Sequence, residues 1–385
     1  MLYYICNSQI LVSFKKIYEG VIILKKVLSL AIIFTFVMMV IFAAVPAAAQ
    51  DTRVGIVLST GGLGDLSFND AAYRGLQRAE EELGIEFQYI EPADPSEDET
   101  ALRRFANRGF DLVIGVGFQM SDTLELVAQD YPNVKFAHVD QDFGEDILDN
   151  VVSLNFAEWE GSFLAGALAA LVSDTGVVGY VGGVDSSLIQ RFEGGFYQGA
   201  KYINPDIEVN RRYADSFGDP ARGREIALGM IDDGADVIYH AAGGTGSGVF
   251  QAAGEEDVYA IGVDSNQNYV EPGHVIASML KKVDKAVFNI VKAVDEGTYE
   301  GGQNLYFTLE DGGIDLTSLT EVGQPVLDAH ESGLITDEEL ETIRTMKEKV
   351  TAPHADKIAE IKEGIINGEI KVENWGVTGR PENLE

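Results

Sequence analysis

Two phenylalanines and two aspartates recur at one fixed spacing, and their side chains suit contact with a planar, hydroxylated molecule. Phe68 and Phe192 are 124 residues apart, and so are Asp140 and Asp264. An aromatic ring can stack on a planar group, at about 1–3 kcal/mol per stacked base. A carboxylate can accept paired hydrogen bonds from vicinal hydroxyls. Two alternatives stay open: the phenylalanines could be hydrophobic staples, and the aspartates could be helix N-caps or hinge acceptors.

Two glycine-rich turns and a lysine pair add further candidates. The first turn, residues 61–70, contains polar side chains that could cap the next helix, and it lacks the G-x-G-x-x-G spacing of a dinucleotide site. The second turn contains Gly244, where the backbone could approach a ligand closely, but no lysine follows as in a phosphate loop. Lys281 or Lys282 could donate into a cleft, or both could lie in solvent.

The elements that must position these residues come in two similar copies. An apolar strand opens each copy, at residues 54–58 and 176–181, and strands then alternate with helices until the fourth strand ends at Asp140 or Asp264. This alternation predicts βαβ units and parallel sheets. The order restarts near Gly176, which disfavours one large Rossmann domain and favours two doubly wound lobes. Ligands of such sheets bind outside the carboxyl ends of the strands, where the candidates lie.

Composition and motifs exclude several functions. The 385 residues include 62 acidic and 28 basic side chains, a formal net charge of −34. Such a surface repels nucleic acid, which needs a basic footprint, and suits solubility or a high-salt habitat. The five histidines show no H-E-x-x-H or paired spacing, and no G-x-S-x-G is present. We therefore expect no catalytic residues, no metal site and no cofactor.

The N-terminal segment predicts export. Lys25 and Lys26 precede an apolar run at residues 27–45, and small residues end at Ala49, where we expect signal peptidase to cleave. The run is also near the length of a membrane anchor, an alternative that the small residues disfavour. Cys6, the only cysteine, precedes the signal. The mature chain would therefore have no disulfide and no cysteine to acylate.

Four motifs in the chain resemble the basic membrane protein family of ABC-transporter substrate-binding proteins, whose best-known members are purine nucleoside receptors. The motifs occupy residues 64–70, 191–196, 262–264 and 278–281. The similarity extends from about residue 54 to 315, and residues 365–372 resemble the family's closing segment. It implies a type I periplasmic-binding-protein fold, an α/β architecture with two doubly wound parallel-sheet lobes joined by a three-segment hinge.

The resemblance also implies a binding site. The phenylalanines would stack a base, Asp65 and Asn69 would read its polar edge, and the remaining residues would hold a sugar. The expected ligand-binding residues are Asp65, Phe68, Asn69, Asp140, Phe192, Gly244, Asp264 and Lys281. The implied function is that of an extracytoplasmic, non-enzymatic solute-binding protein of an ABC importer, with a purine nucleoside as ligand and a permease as partner. Alternatives are a flavin or sugar on the same scaffold, or a ligand sensor for a membrane receptor.

The expected domain boundaries follow from the repeat and the implied hinge. Residues 1–49 would be an upstream extension and signal peptide. The first lobe would comprise residues 51–155 and 267–300, and the second lobe residues 156–266 and 301–385. Family members commonly carry a lipid-modified cysteine after the signal, so this chain's lack of one favours soluble release. The acidic helical stretch at residues 336–366 could pack on the second lobe or contact a partner.

Overall fold

The structure is a computed structural model that describes residues 15–16, 18–32, 34–35, 51–381 and 384. Its contacts divide the chain into two units, Met1–Asp51 and Thr52–Glu385. In the first unit the described residues between 15 and 35 are helical. The predicted cleavage after Ala49 lies outside the described residues. None of the described helices combines the length and apolar character that crossing a bilayer requires.

The second unit alternates strands and helices through most of its length. The strands are β1 Arg53–Val57, β2 Glu86–Ile90, β3 Leu112–Val116, β4 Lys135–Val139, β5 Val151–Phe156, β6 Val177–Gly182, β7 Glu208–Tyr213, β8 Val237–Ala241, β9 Tyr259–Asp264, β10 Val275–Lys281, β11 Gln303–Phe307 and β12 Ile314–Leu316. The helices are α1 Phe68–Leu83, α2 Asp98–Asn107, α3 Ser121–Asp130, α4 Glu158–Val172, α5 Ser187–Ile203, α6 Pro220–Asp232, α7 Gly246–Glu255, α8 Val283–Asp295, α9 Gln324–Glu331, α10 Asp337–Met346, α11 Ala355–Ile366 and α12 Trp375–Thr378.

The described strands form two sheets of matching topology. The first has the order β11-β5-β4-β3-β1-β2, and the second has the order β12-β10-β9-β8-β6-β7. Neighbouring strands are parallel except for β12, which runs antiparallel to β10. The central strands β3 and β8 are buried along their whole length, as expected for strands covered on both faces. The prediction of two doubly wound parallel-sheet lobes is confirmed.

The hinge differs from the predicted boundaries at two strands. β10 was expected in the first lobe but pairs with β9 in the second sheet. β11 was expected in the second lobe but pairs with β5 in the first sheet. The sequence analysis followed the repeat only as far as the fourth strand of each copy. β10 begins 124 residues after β5 and holds the equivalent place in the second sheet, whereas β11 lies beyond both copies. The chain therefore crosses between the lobes after β5, after β10 and again after β11.

In each lobe two helices pack against each other, and one helix of each pair begins at the cleft. α1 packs on α8, and α4 packs on α5. Gly75 of α1 and Gly199 of α5 are equivalent in the repeat, and each lies against the partner helix. A Cβ atom at Gly199 would lie 2.0 Å from the carbonyl oxygen of Phe163, and one at Gly75 would lie 2.7 Å from that of Asp284. Only glycine permits these approaches, which fix the two helices whose first turns face the cleft.

The C-terminal helical stretch packs on the second lobe, one of its two predicted alternatives. Ile343 of α10 and Ile361 of α11 are fully buried in the main core. The Lys362 ammonium lies 2.6 Å from the Asp315 carboxylate on β12. Trp375 of α12 is also buried. These contacts bury the apolar face of the stretch against the second sheet.

Candidate functional site

A cavity lies between the two lobes, at the carboxyl ends of both sheets. Its empty volume is about 600 Å³, which includes the open mouth. The first lobe contributes Ser59, Thr60, Asp65, Phe68, Asn69, Gly117, Phe118, Gln119 and Asp140. The second sheet and its loops contribute Leu188, Ile189, Phe192, Phe217, Ala241, Ala242, Gly243, Val263, Asp264 and Lys281.

Asp140 and Asp264 line this cavity with the same unusual backbone conformation. Their φ angles are 75° and 64°, in the left-handed region that few non-glycine residues adopt. Aspartate tolerates this region better than most side chains do. Both residues end the fourth strand of their sheet and both are buried. The repeat therefore preserves a backbone turn that brings one carboxylate from each lobe to the cavity.

Lys281 lies at the end of β10, where the chain crosses to α8, and its ammonium is fully surrounded. Its Nζ lies 2.6 Å from Asp140 Oδ2 and 3.0 Å from Glu158 Oε1. It also lies 5.1 Å from the centre of the Phe68 ring and 5.4 Å from that of Phe192. Burial acts to lower the pKa of Lys281, but the adjacent carboxylates, above all that of Asp140, raise it above its usual value. The ammonium therefore stays charged.

Asp65 and Asn69 face the cavity but also build the start of α1. Asp65 accepts hydrogen bonds from the backbone N–H of Ser67, at 2.9 Å, and from that of Asn69, at 2.8 Å. The Asn69 amide donates to Asp65 at 3.1 Å, while its carbonyl oxygen accepts from the Ser59 N–H and hydroxyl, both at 3.0 Å. Burial raises the pKa of Asp65, against the hydrogen bonds that lower it. Contact of these side chains with a ligand stays a prediction.

Seven of the eight predicted residues line the cavity together, and Gly244 is the exception. The neighbouring Gly243, whose φ is 53°, lines the wall instead. A Cβ atom at Gly244 would lie 3.4 Å from the Phe217 carbonyl oxygen and 4.0 Å from the Asp65 Cβ. The second glycine-rich turn therefore lies at the cleft, but Gly243 lines the cavity in place of the predicted Gly244.

Direct contacts join the two lobes above the cavity. The Ser67 hydroxyl donates a short hydrogen bond to Asp264 Oδ2 across the cleft. The Arg74 guanidinium donates to the Ser265 hydroxyl at 2.7 Å. Burial raises the pKa of Asp264 to about 7, although the Lys281 charge and the Ser67 hydroxyl act to lower it. The structure therefore describes the closed arrangement of the lobes, with a half-protonated carboxyl near neutral pH.

Comparison with known sequences identifies the family. A family model described as "ABC transporter substrate-binding protein PnrA-like" (Bmp) matches residues 52–352. The chain belongs to the Bmp family. This family consists of solute-binding proteins rather than enzymes, and the substrate-binding proteins of ABC transporters are extracytoplasmic.

Relatives of the Bmp family agree in sequence and in fold. A CD4+ T-cell-stimulating antigen of Listeria monocytogenes is 33% identical, over 84% of this chain and 89% of its own length. An ABC transporter nucleoside-binding protein of Lactococcus lactis is 35% identical, over 69% of this chain and 81% of its own length. The crystal structure of an ABC transporter solute-binding protein from Aeropyrum pernix is 34% identical, with a TM-score of 0.77. That structure covers 83% of this chain and 92% of its own.

The sequence analysis of this Bmp protein missed Phe118 and Phe217 in the cavity wall and Glu158 beside Lys281. Phe118 and Phe217 line the cavity in an edge-to-face arrangement, with ring centres 6.4 Å apart and planes at 76°. Phe118 follows β3 and Phe217 follows β7, so the rule that ligands bind at strand ends would have nominated both. Glu158 begins α4 and is fully buried beside Lys281. No sequence signal distinguished it from the many surface acids.

The charges that line the cavity are unbalanced. The carboxylates of Asp65, Asp140 and Asp264 oppose the single ammonium of Lys281, which leaves two net negative charges when all are ionised. Such a cavity favours ligands that donate hydrogen bonds and disfavours anions. Among the residues that the structure describes, no group of three or more His, Cys, Asp or Glu side chains could hold a metal ion.

Proposed function

We propose that this protein captures a purine nucleoside between its two lobes and delivers it to an ABC importer. The observation that carries the proposal is one cavity with aromatic rings and buried carboxylates from both lobes. The name of the Lactococcus relative, a nucleoside-binding protein, supports the same ligand class. Export by a signal peptide cleaved after Ala49, release as a soluble protein and delivery to a permease complete the proposed role.

The base would be held by aromatic stacking. Phe68 is half-buried at the start of α1, and Phe192 is buried on α5 in the opposite lobe. Phe118 and Phe217 also line this cavity, with ring centres 6.4 Å apart. A planar ring between the lobes would touch aromatic faces from both, and each stacked base gains about 1–3 kcal/mol. We propose that Asp65 and Asn69 then contact the polar edge of the base.

The ribose would be held by the strand-end carboxylates and Lys281. Asp140 Oδ1 is buried and has no hydrogen-bond partner in the part of the chain that the structure describes, while its Oδ2 accepts from Lys281. A buried carboxylate oxygen without a donor is unfavourable, so a ligand hydroxyl at this point would satisfy it. Asp264 supplies a second carboxylate from the other lobe. The glycine backbone at Gly243 and Gly244 would allow the chain to approach the ribose closely. Hydroxyls can donate to the carboxylates and accept from the ammonium.

The charge of the cavity selects a nucleoside over a nucleotide. A phosphate would add about two negative charges to a buried site that already carries a net negative charge. None of the described residues that line the cavity is an arginine that could offset them. The protein would release its nucleoside unchanged, because binding and closure, not bond cleavage, are the chemistry that this site supports.

A thermal-shift panel tests the proposal. Purified protein would be heated with inosine, guanosine or adenosine, and separately with ribose, riboflavin or inosine monophosphate. A ligand that binds only the folded state raises the melting temperature. We expect a rise with at least one purine nucleoside and none with the monophosphate. A rise with riboflavin alone or with ribose alone would show that the ligand is a flavin or a sugar instead of a purine nucleoside. A rise with the monophosphate alone would contradict the proposal.

A further inference from the structure

Glu158 is a buried acid at the first crossing between the lobes, outside the lining of the cavity. It begins α4, directly after β5, and its side chain is fully buried. Its Oε1 lies 3.0 Å from the ammonium of Lys281, and its Oε2 lies 3.5 Å from Nη1 of Arg191 on α5. Glu158 therefore connects a cation that lines the cavity with a cation that lies behind it.

These groups form a row of alternating charge: Asp140, Lys281, Glu158 and Arg191. Each comes from a different segment, and the two contacts of Lys281 approach its ammonium from the first lobe and from the crossing. Glu158 Oε1 accepts no hydrogen bond of good geometry, so its hold on Lys281 is chiefly charge attraction. A lysine side chain has four flexible methylene links, and burial makes an unpaired charge strongly unfavourable.

We infer that Glu158 is a positioning residue, which holds the ammonium of Lys281 at the cavity wall in the place where a ligand hydroxyl would meet it. This inference rests on the proposed function, because it gives Lys281 a ligand to contact. Without Glu158, Asp140 would be the nearest carboxylate to the ammonium and would draw it toward the first lobe. Asp264 also faces Lys281 and contributes to its charge environment.

Glu193 offers a matched control on the neighbouring helix. It is also a buried glutamate, and it pairs with Arg211 at 2.8 Å and with Arg380 at 2.7 Å. Neither arginine lines the cavity. Loss of the Glu193 charge should thus disturb a buried ion pair of similar kind without releasing Lys281.

Inosine affinity, measured by calorimetry, tests the inference through a double-mutant cycle. Glu158→Gln should weaken binding about tenfold, and Glu193→Gln should change it less than twofold. In a Lys281→Met background, Glu158→Gln should change affinity less than twofold, because no ammonium remains to be positioned. An unchanged affinity in Glu158→Gln, or an equal loss in both backgrounds, would overturn the inference. If Glu158→Gln does not fold, Glu158→Gln/Arg191→Met, which keeps the charges balanced, takes its place.

A ligand-free measurement separates this inference from the proposed function. In ¹⁵N-labelled protein, the held ammonium of Lys281 should give a slowly exchanging Nζ–H signal, assigned by its loss in Lys281→Met. We expect this signal in the wild type and in Glu193→Gln, and its loss in Glu158→Gln. Persistence of the signal in Glu158→Gln would contradict the positioning role even if nucleosides bind. A failure of all nucleosides to bind, with the signal behaving as expected, would instead contradict the proposed ligand.

Discussion

The two lobes are copies of one unit, but their equivalent aspartates are held in different ways. Asp140 of the first lobe is paired with Lys281, whereas Asp264 of the second lobe accepts a hydroxyl hydrogen bond from Ser67 across the cleft. Both share the left-handed backbone turn at the end of the fourth strand. The two copies therefore share this backbone conformation but differ in the partners of each carboxylate.

This difference suggests that the two carboxylates respond differently when the lobes close. The Asp140 carboxylate is paired with Lys281, which ends β10 of the second sheet at a crossing between the lobes, where hinge motion moves groups least. Burial raises the pKa of Asp140 to about 6, less than it raises that of Asp264. The Asp264 carboxylate receives its hydrogen bond from the opposite lobe, so its environment changes when the cleft opens. Asp264 should therefore respond to closure more strongly than Asp140.

Closure of the ligand-free protein should depend on pH through Asp264. Burial raises its pKa from 3.8 to about 7 in the closed form, whereas an open cleft would hydrate it. The closed form then binds one more proton than the open form between about pH 4 and 7, so raising the pH should favour opening. Three pKa units correspond to an upper limit of about 4 kcal/mol.

Small-angle scattering of the wild type and Asp264→Asn across this range checks the pH dependence. The radius of gyration of the wild type should increase as the pH rises, and that of Asp264→Asn should change much less. Equal pH profiles for the two proteins would show that Asp264 does not govern closure.

The two helix-packing glycines should differ in their tolerance of alanine. Gly199→Ala should lower the free energy of unfolding by about 3 kcal/mol, because the new methyl group would collide with the Phe163 carbonyl. Gly75→Ala should lower it by about 1 kcal/mol, since the clash with the Asp284 carbonyl is milder. Urea denaturation measures both. A larger effect at Gly75 would mean that the equivalent helix pairs are not packed as described.

Phe68→Ala, which removes the aromatic ring, should weaken nucleoside binding more than tenfold without unfolding the protein. The loss of stacking is worth about 1–3 kcal/mol per base. Phe68→Leu keeps the apolar volume and serves as the control for simple burial, so it should recover little of the affinity. Calorimetry with inosine provides the measurement. Wild-type affinity in Phe68→Ala would remove the stacking role, and full recovery in Phe68→Leu would reduce it to burial.

Removal of the cross-cleft hydroxyl should have the smallest effect. Ser67→Ala deletes the donor to Asp264, which is worth about 1 kcal/mol, so nucleoside affinity should fall about fivefold. Ser247 is an exposed serine whose hydroxyl bonds within its own turn, and Ser247→Ala should leave the affinity unchanged. Similar affinities for the two variants, again by calorimetry, would indicate that Ser67 does not stabilise closure.

The lobes and most of the site were predictable because both follow from local patterns that occur twice. The apolar strands, the spacing of 124 residues and the rule that ligands bind at strand ends led to Phe68, Phe192, Asp140 and Asp264. All four line the cavity. Such patterns state which residue follows a strand, and the sheet then brings those residues to one edge.

What the sequence did not predict depends on contacts between distant segments. The sheet to which β11 belongs is decided by strand pairing, which a strand outside the repeat does not reveal. β10 repeats β5 at the same spacing, but the repeat was followed only to the fourth strand of each copy. Glu158 is one acid among 62, and only its burial beside Lys281 distinguishes it. Gly244 does not line the cavity because the turn after β8 places its neighbour Gly243 at the wall, in the left-handed conformation.

Direct calorimetric titration of the purified protein with inosine, guanosine and adenosine tests the central claim most directly. The account predicts saturable binding of at least one of these nucleosides, with one molecule bound per chain. Failure of all three to bind, to protein that unfolds cooperatively and carries no co-purified small molecule, would contradict it.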